Sequence, residues 1–182
     1  MFIGALASWQ GVDTMLEASR SPAWPDGVRL VIAGDGKQRS AIEAAARGNP
    51  RIVSLGTIPY RDTPALLAGS LAALVPKTDS PSSRFGLSPL KLYEAMACGV
   101  PVVTSELPGL SDVVRLHDCG VTFPPGDGGA LAEAVAGLAA EPGRARAMGT
   151  RGRDAALTYY SWDARAAQTQ DVLLEVAQLR RA

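Results

Sequence analysis

The chain has 182 residues, 47% of them apolar and 20% charged, with 18 basic and 18 acidic side chains that cancel. That length is enough to bury about 70% of the surface an unfolded chain exposes, so no disulfide framework or structural metal is needed to hold a core. Zero net charge argues against a partner such as nucleic acid or an anionic lipid surface, both of which call for a basic face. Cys98 and Cys119 have neither zinc-site nor redox spacing and read as small buried thiols, which makes a reducing, cytoplasmic address the expectation. The opening stretch Met1 to Ala7 is apolar but carries no basic residue, and Gly11 and Asp13 follow too soon for a signal peptide or a spanning helix.

Short β-rich runs alternate with longer Ala-rich stretches of helical period, the pattern of βαβ units around a parallel sheet. In chain order the reading is a strand at 2–4, a helix at 13–19, a strand at 29–33, a Gly34-Asp35-Gly36 turn and a helix at 37–47. A strand at 51–56, a helix at 63–68 with Pro64 at a tolerated early position, and a strand at 71–75 follow. The strand at 71–75 runs into a polar loop, 76–84, and a loop of that length at the carboxyl end of a sheet strand is where an α/β protein keeps its ligand site. Next come a helix at 88–97 that Gly99 ends, a strand at 101–105, a helix at 110–115 and a strand at 121–123. The rest is helical. Leu131, Ala134, Val135, Leu138 and Ala139 keep one stripe, Pro142-Gly143 separates a helix at 144–157, and a last helix opens at Ser161-Trp162 with Val172, Leu173, Val176, Ala177 and Leu179 on one side. The fold class is α/β: one Rossmann-like, doubly wound parallel sheet over 1–182.

The strongest local signal is the unit of polar loop, Gly86-Leu87, then Ser88-Pro89 opening a helix that carries Lys91 and Glu94. Ser is a preferred cap and Pro a preferred first residue, so the backbone N–H groups near Leu90 and Lys91 would be free to meet a phosphate, with Lys91 adding a point charge. Glu94, one turn on, is placed to accept paired hydrogen bonds from hydroxyls such as those of a ribose. The plainer reading is a capped helix whose Lys91 and Glu94 form an i, i+3 surface pair. His117, the single histidine, reads as a solvated loop residue rather than a base, Trp9 as either the floor of the site or core packing, and the basic stretch Arg144, Arg146, Arg151, Arg153 as a solvated helical face.

Glu94-Ala95-Met96-Ala97-Cys98-Gly99-Val100-Pro101-Val102-Val103-Thr104-Ser105 resembles a segment of the retaining GT-B glycosyltransferases of family 4. Five further pieces agree in order: residues 2–6 with Gly11-Val12-Asp13, Leu30 to Gly36, Leu55 to Pro59, Phe123 to Asp127, and Ser161-Trp162. The resemblance spans nearly the whole chain and implies the C-terminal, donor-binding half of a GT-B fold. On this resemblance Glu94 holds the donor ribose, the backbone of Gly86, Leu87, Ser88, Pro89, Leu90 and Lys91 meets the donor phosphates and sugar, Gly4 lines the same site, and Ile58 and Pro59 lie by the base. It implies a nucleotide-diphosphate sugar as donor substrate, with no cofactor and no metal. The acceptor is a sugar, lipid or metabolite, held with the help of an N-terminal domain outside this chain toward which the helix at about 161–180 packs. No catalytic residue is assigned. A full-length enzyme would be cytoplasmic or sit at the inner face of the membrane, and the fragment alone is expected to be inactive.

Two departures from the family pattern stand out. Gly86 occupies the place of the family's first glutamate, eight positions before Glu94, and the family's phosphate-clamping Arg and Lys are missing near Ala5 and Gln10. Ser88-Pro89-Leu90-Lys91-Leu92-Tyr93-Glu94 resembles a branch in which a lysine precedes the glutamate by three, so Lys91 is the candidate replacement cation. The rival readings are a non-catalytic nucleotide-sugar binding module, which the lost glutamate and cations favour, and an NAD-binding Rossmann domain. The second is suggested only by strand, Gly34-x-Gly36, helix, and it lacks a third glycine at the required spacing.

Overall fold

The computed structural model describes residues 1–79 and 90–179. Strands β1 (Phe2–Ile3), β2 (Leu30–Ala33) and β3 (Ile52–Gly56) pair in parallel in the order β1-β2-β3, and β4 (Ala73–Val75), β5 (Val102–Ser105) and β6 (Gly120–Phe123) in the order β4-β5-β6. Phe2 stands opposite Ile32 in the first ladder, and Ala73 opposite Val102 in the second. Two hydrogen bonds join the ladders: the Met1 amine donates to Ala72 O at 2.7 Å and Leu74 N–H donates to Met1 O at 2.8 Å. The combined order is β3-β2-β1-β4-β5-β6, with its reversal between β1 and β4. At such a reversal the connections leave in opposite directions and open a crevice at the carboxyl ends of the two strands.

The helices are α1 (Val12–Ala18), α2 (Arg39–Gly48), α3 (Thr63–Ala68), α4 (Leu90–Ala97), α5 (Ser111–His117), α6 (Gly128–Ala140), α7 (Pro142–Ala155) and α8 (Trp162–Leu179). Because successive strand side chains point to opposite faces, β4 sends Leu74 to one core layer and Ala73 and Val75 to the other, as β5 does with Val103 and Val102. The first layer buries Met15 of α1 and Leu131, Val135 and Leu138 of α6; the second buries Leu92 and Met96 of α4 and Val113 and Val114 of α5. The expected doubly wound α/β sheet is thus present. Element ends differ by at most two residues, with β4 starting at Ala73 rather than 71 and α5 running on to His117 rather than stopping at 115.

Asp127 caps α6 by accepting from Ala130 N–H at 2.8 Å. On α7 the four arginines are exposed, as expected, but two of them also close other helices. Arg153 donates to Ala97 O at 3.1 Å at the end of α4, and Arg151 donates to the Asp118 carbonyl at 3.0 Å and carboxylate at 2.7 Å at the end of α5. The buried-thiol expectation holds for Cys119, whose thiol burial pushes up to about 11, while Cys98 is only half-buried. After α7 the chain widens into a π-helical turn, Ala156–Tyr160, before α8. The apolar residues Val172, Leu173, Leu174 and Val176 of α8 are exposed, so this helix leaves the core behind. No helix among the described residues is long and apolar enough to cross a membrane.

Candidate functional site

The crevice between β1 and β4 is shaped by two glycines. Gly4 follows β1 at φ +148°, and a Cβ there would run into the Lys91 side chain; its N–H donates to Ala33 O at 2.9 Å. Gly11 ends a 3₁₀ turn, Ser8–Gln10, at φ +73°, where a Cβ would strike the Pro76 carbonyl, so α1 starts hard against the end of β4. Glycine supplies both the left-handed backbone and the close approach.

Lys91 reaches into this crevice from the first turn of α4. Its ammonium donates to Gln10 Oε1 at 2.8 Å and lies 4.4 Å from the centroid of the Phe2 ring. Burial, then the like charge of Lys77, lower the ammonium to about 8, with Glu94 opposing them; burial lowers Lys77 as well. The i, i+3 surface pair is not formed, because Lys91 turns toward Gln10 instead of Glu94, and neither lysine joins an ion pair among the described residues. Two partly buried cations that repel each other are relieved by one shared anion. The hydrogen bond thus brings an ammonium to Gln10 from α4, 81 residues away. Lys77 was passed over in the sequence as part of a polar loop; its place two residues after β4 was the available signal.

Glu94, half-buried, is the fifth residue of α4, and its Oε1 accepts from the Tyr60 phenol at 3.4 Å. Tyr60 opens a 3₁₀ turn, Tyr60–Asp62, directly after the half-buried Ile58 and the exposed Pro59, so this contact brings the turn after β3 up to α4. Leu90 begins α4 and is exposed; Gly86, Leu87, Ser88 and Pro89, expected to meet the phosphates, lie outside the described residues. Of the expected site residues, Gly4, Lys91, Glu94 and the turn after Pro59 converge on the carboxyl ends of the strands. No group of three or more His, Cys, Asp or Glu suited to a metal ion occurs among the described residues.

Beyond Glu94 opens a cleft of about 560 Å³ walled by Tyr60, Tyr93, Tyr160 and Trp162. Tyr93 and Tyr160 stack at 4.4 Å with their planes 12° apart, and Arg165 covers Tyr160 at 5.1 Å. His117 corrects the sequence reading: it is no solvated loop residue but the half-buried end of α5, with Nε2 2.9 Å from the Tyr160 hydroxyl and its ring stacked on Tyr159 at 5.6 Å. Trp9 is 57% exposed, which removes core packing as its role. A smaller cavity, about 280 Å³ between Trp24, Val28 and Leu71, lies at the amino ends of the strands and shares no residue with this site.

Comparison with known proteins agrees with the fold. The solved structure of Anabaena Alr3699/HepE in complex with UDP superposes with a TM-score of 0.79 at 19% identity, covering 96% of this chain and 48% of that one. Sucrose-phosphate synthase from Thermosynechococcus elongatus gives 0.77 at 24% identity, over 98% of this chain and 46% of its own. Among curated proteins, a glycogen synthase of Mycobacterium tuberculosis is 30% identical over 178 residues, covering 96% of this chain and 42% of that protein. A D-inositol 3-phosphate glycosyltransferase of Salinispora tropica is 32% identical over 194 residues, covering 99% and 39%. The chain thus spans about two fifths of the length of these relatives. A family model described as glycosyl transferases group 1 matches residues 1–141, and the chain belongs to that family.

Proposed function

We propose that this chain is the C-terminal, donor-binding half of a retaining GT-B glycosyltransferase of family 4, and that it takes a nucleotide-diphosphate sugar at the carboxyl ends of β1 and β4. The observation that carries the reading is the Lys91 ammonium, held by Gln10 over Gly4 with Glu94 three residues further along the same helix. Lys91, with Lys77 beside it, binds the diphosphate and stabilises the negative charge that grows on it as the glycosyl bond breaks. Glu94 accepts hydrogen bonds from the ribose hydroxyls, and the backbone at Ile58 and Pro59 borders the base. The acceptor, a sugar, lipid or metabolite, is held with the help of an N-terminal domain, and α8, whose apolar residues are exposed, packs toward that domain. The isolated chain binds donor without transferring sugar, because orienting two substrates and excluding water needs both walls of the cleft.

Gly86, standing where the family has its first glutamate, favours one second reading, a binding module without turnover; transfer measured with the absent half restored separates the two. The binding claim itself is tested by thermal shift and calorimetry with UDP-, GDP- and ADP-sugars beside NAD. Stabilisation by at least one nucleotide sugar and none by NAD is expected. Stabilisation by NAD alone overturns the proposal.

A further inference from the structure

Tyr60 is 78% exposed, the least covered of the tyrosines in the cleft, and it sits on a three-residue turn whose backbone needs no aromatic residue. The facing wall is fixed in a way Tyr60 is not. Tyr93 is clamped by the Tyr160 ring at 4.4 Å, and Tyr160 in turn by His117 at 2.9 Å and by Arg165 across its other side. Among the described residues, the one polar contact of the Tyr60 phenol is the long 3.4 Å bond to Glu94 Oε1. Glu94 therefore stands between two unlike surroundings. On one side are Lys91 and Gly4, which suit a diphosphate; on the other is a cleft with aromatic walls, large enough at about 560 Å³ for a planar ring.

A nucleotide presents the same three parts in the same order: charge, sugar hydroxyls, flat aromatic base. With the charge at Lys91 and the hydroxyls at Glu94, the base is delivered to the face of Tyr60. We propose that Tyr60 is the nucleobase platform of the donor site, its ring covering one face of the base while its phenol gives up Glu94 to the ribose. This rests on the donor-site reading and adds to it the side chain that holds the base. Stacking tolerates every base because every base has a π face, so the platform serves uracil, guanine and adenine alike, and selection among them falls to the neighbouring backbone at Ile58 and Pro59.

The test is calorimetry on the 182-residue chain with UDP, GDP and ADP, and with two probes that lack a base, pyrophosphate and ribose 5-phosphate. Tyr60→Ala should weaken whichever nucleotides bind by about tenfold or more, the usual effect of removing an aromatic stacking partner, and leave both base-free probes unchanged. Tyr60→Phe should hold nucleotide affinity within about twofold of wild type, since the ring remains. Equal nucleotide affinity in Tyr60→Ala and wild type, a matching loss for pyrophosphate, or a Tyr60→Phe as weak as Tyr60→Ala overturns the platform while Glu94→Ala still reports on the donor site. A wild-type chain that binds none of the three nucleotides overturns the donor-site reading and the platform with it.

Discussion

Donor binding should depend on pH through Lys91. In the free protein its ammonium titrates near 8, well below the ordinary lysine range, because burial and Lys77 both disfavour the charge. A diphosphate against it favours the charged form and lifts it back, so binding takes up a proton. The sign follows: affinity is at full strength below pH 8 and is lost as pH rises through that value. If only the protonated lysine holds the diphosphate, affinity falls about eightfold between pH 7.5 and 9, or about 1.3 kcal/mol. The ligand contributes little to this slope, since the second ionisation of a terminal phosphate lies near pH 6. Calorimetry of UDP binding at pH 8 in two buffers of different ionisation enthalpy should show uptake of about half a proton per ligand. Lys91→Ala should bind more weakly at pH 7.5 and lose the slope, and Lys77→Ala should move its midpoint upward by removing a like charge. A wild-type affinity that is flat from pH 7.5 to 9, or a Lys91→Ala variant that keeps the slope, refutes the assignment.

Glu94→Ala should cost about 1.5–3 kcal/mol of nucleotide binding, roughly ten- to hundredfold, and leave the melting temperature of the unliganded chain unchanged, because among the described residues the side chain supports only a long contact to an exposed tyrosine. Gly11→Ala should destabilise by about 2 kcal/mol or more and lower Tm by several degrees, since it adds a side chain in left-handed backbone directly against the Pro76 carbonyl. In the isolated 182-residue chain the Met1 amine, which burial lowers to about 5, stays neutral in the fold at pH values where the unfolded chain protonates it; urea denaturation should show stability falling by roughly 3 kcal/mol as pH drops from 8 to 5. One added residue before Met1 turns that amine into an amide and should flatten the slope relative to the 182-residue chain.

The helix that carries the site was legible because its punctuation is local. The run from Leu90 to Ala97 ends at Gly99, the apolar strand at 102–105 follows, and Glu94 falls where a family pattern could be matched residue by residue. Strand and helix order along the chain came from hydrophobic period in the same way, whereas the sheet's reversal between β1 and β4 is seen only in the structure. What periodicity could not report is which side chains meet across that reversal. Lys91 finds Gln10 from 81 residues away, and the pair leaves no mark in either local sequence. Lys77 looked like one more polar loop residue until the fold placed it beside a second buried cation. His117 was misread for a related reason: its partners Tyr159 and Tyr160 lie in a π-helical turn about 43 residues on, and a turn of that width has no sequence period to announce it.

The central claim, a donor site at the β1/β4 crevice, is tested most directly by a crystal structure of the chain soaked with a nucleoside diphosphate. The account predicts the ribose hydroxyls within hydrogen-bonding distance of the Glu94 carboxylate and the diphosphate against Lys91 and Gly4. A nucleotide lodged instead at the amino ends of the strands, beside Trp24 and Leu71, or bound in the crevice with Glu94 and Lys91 untouched, would contradict it.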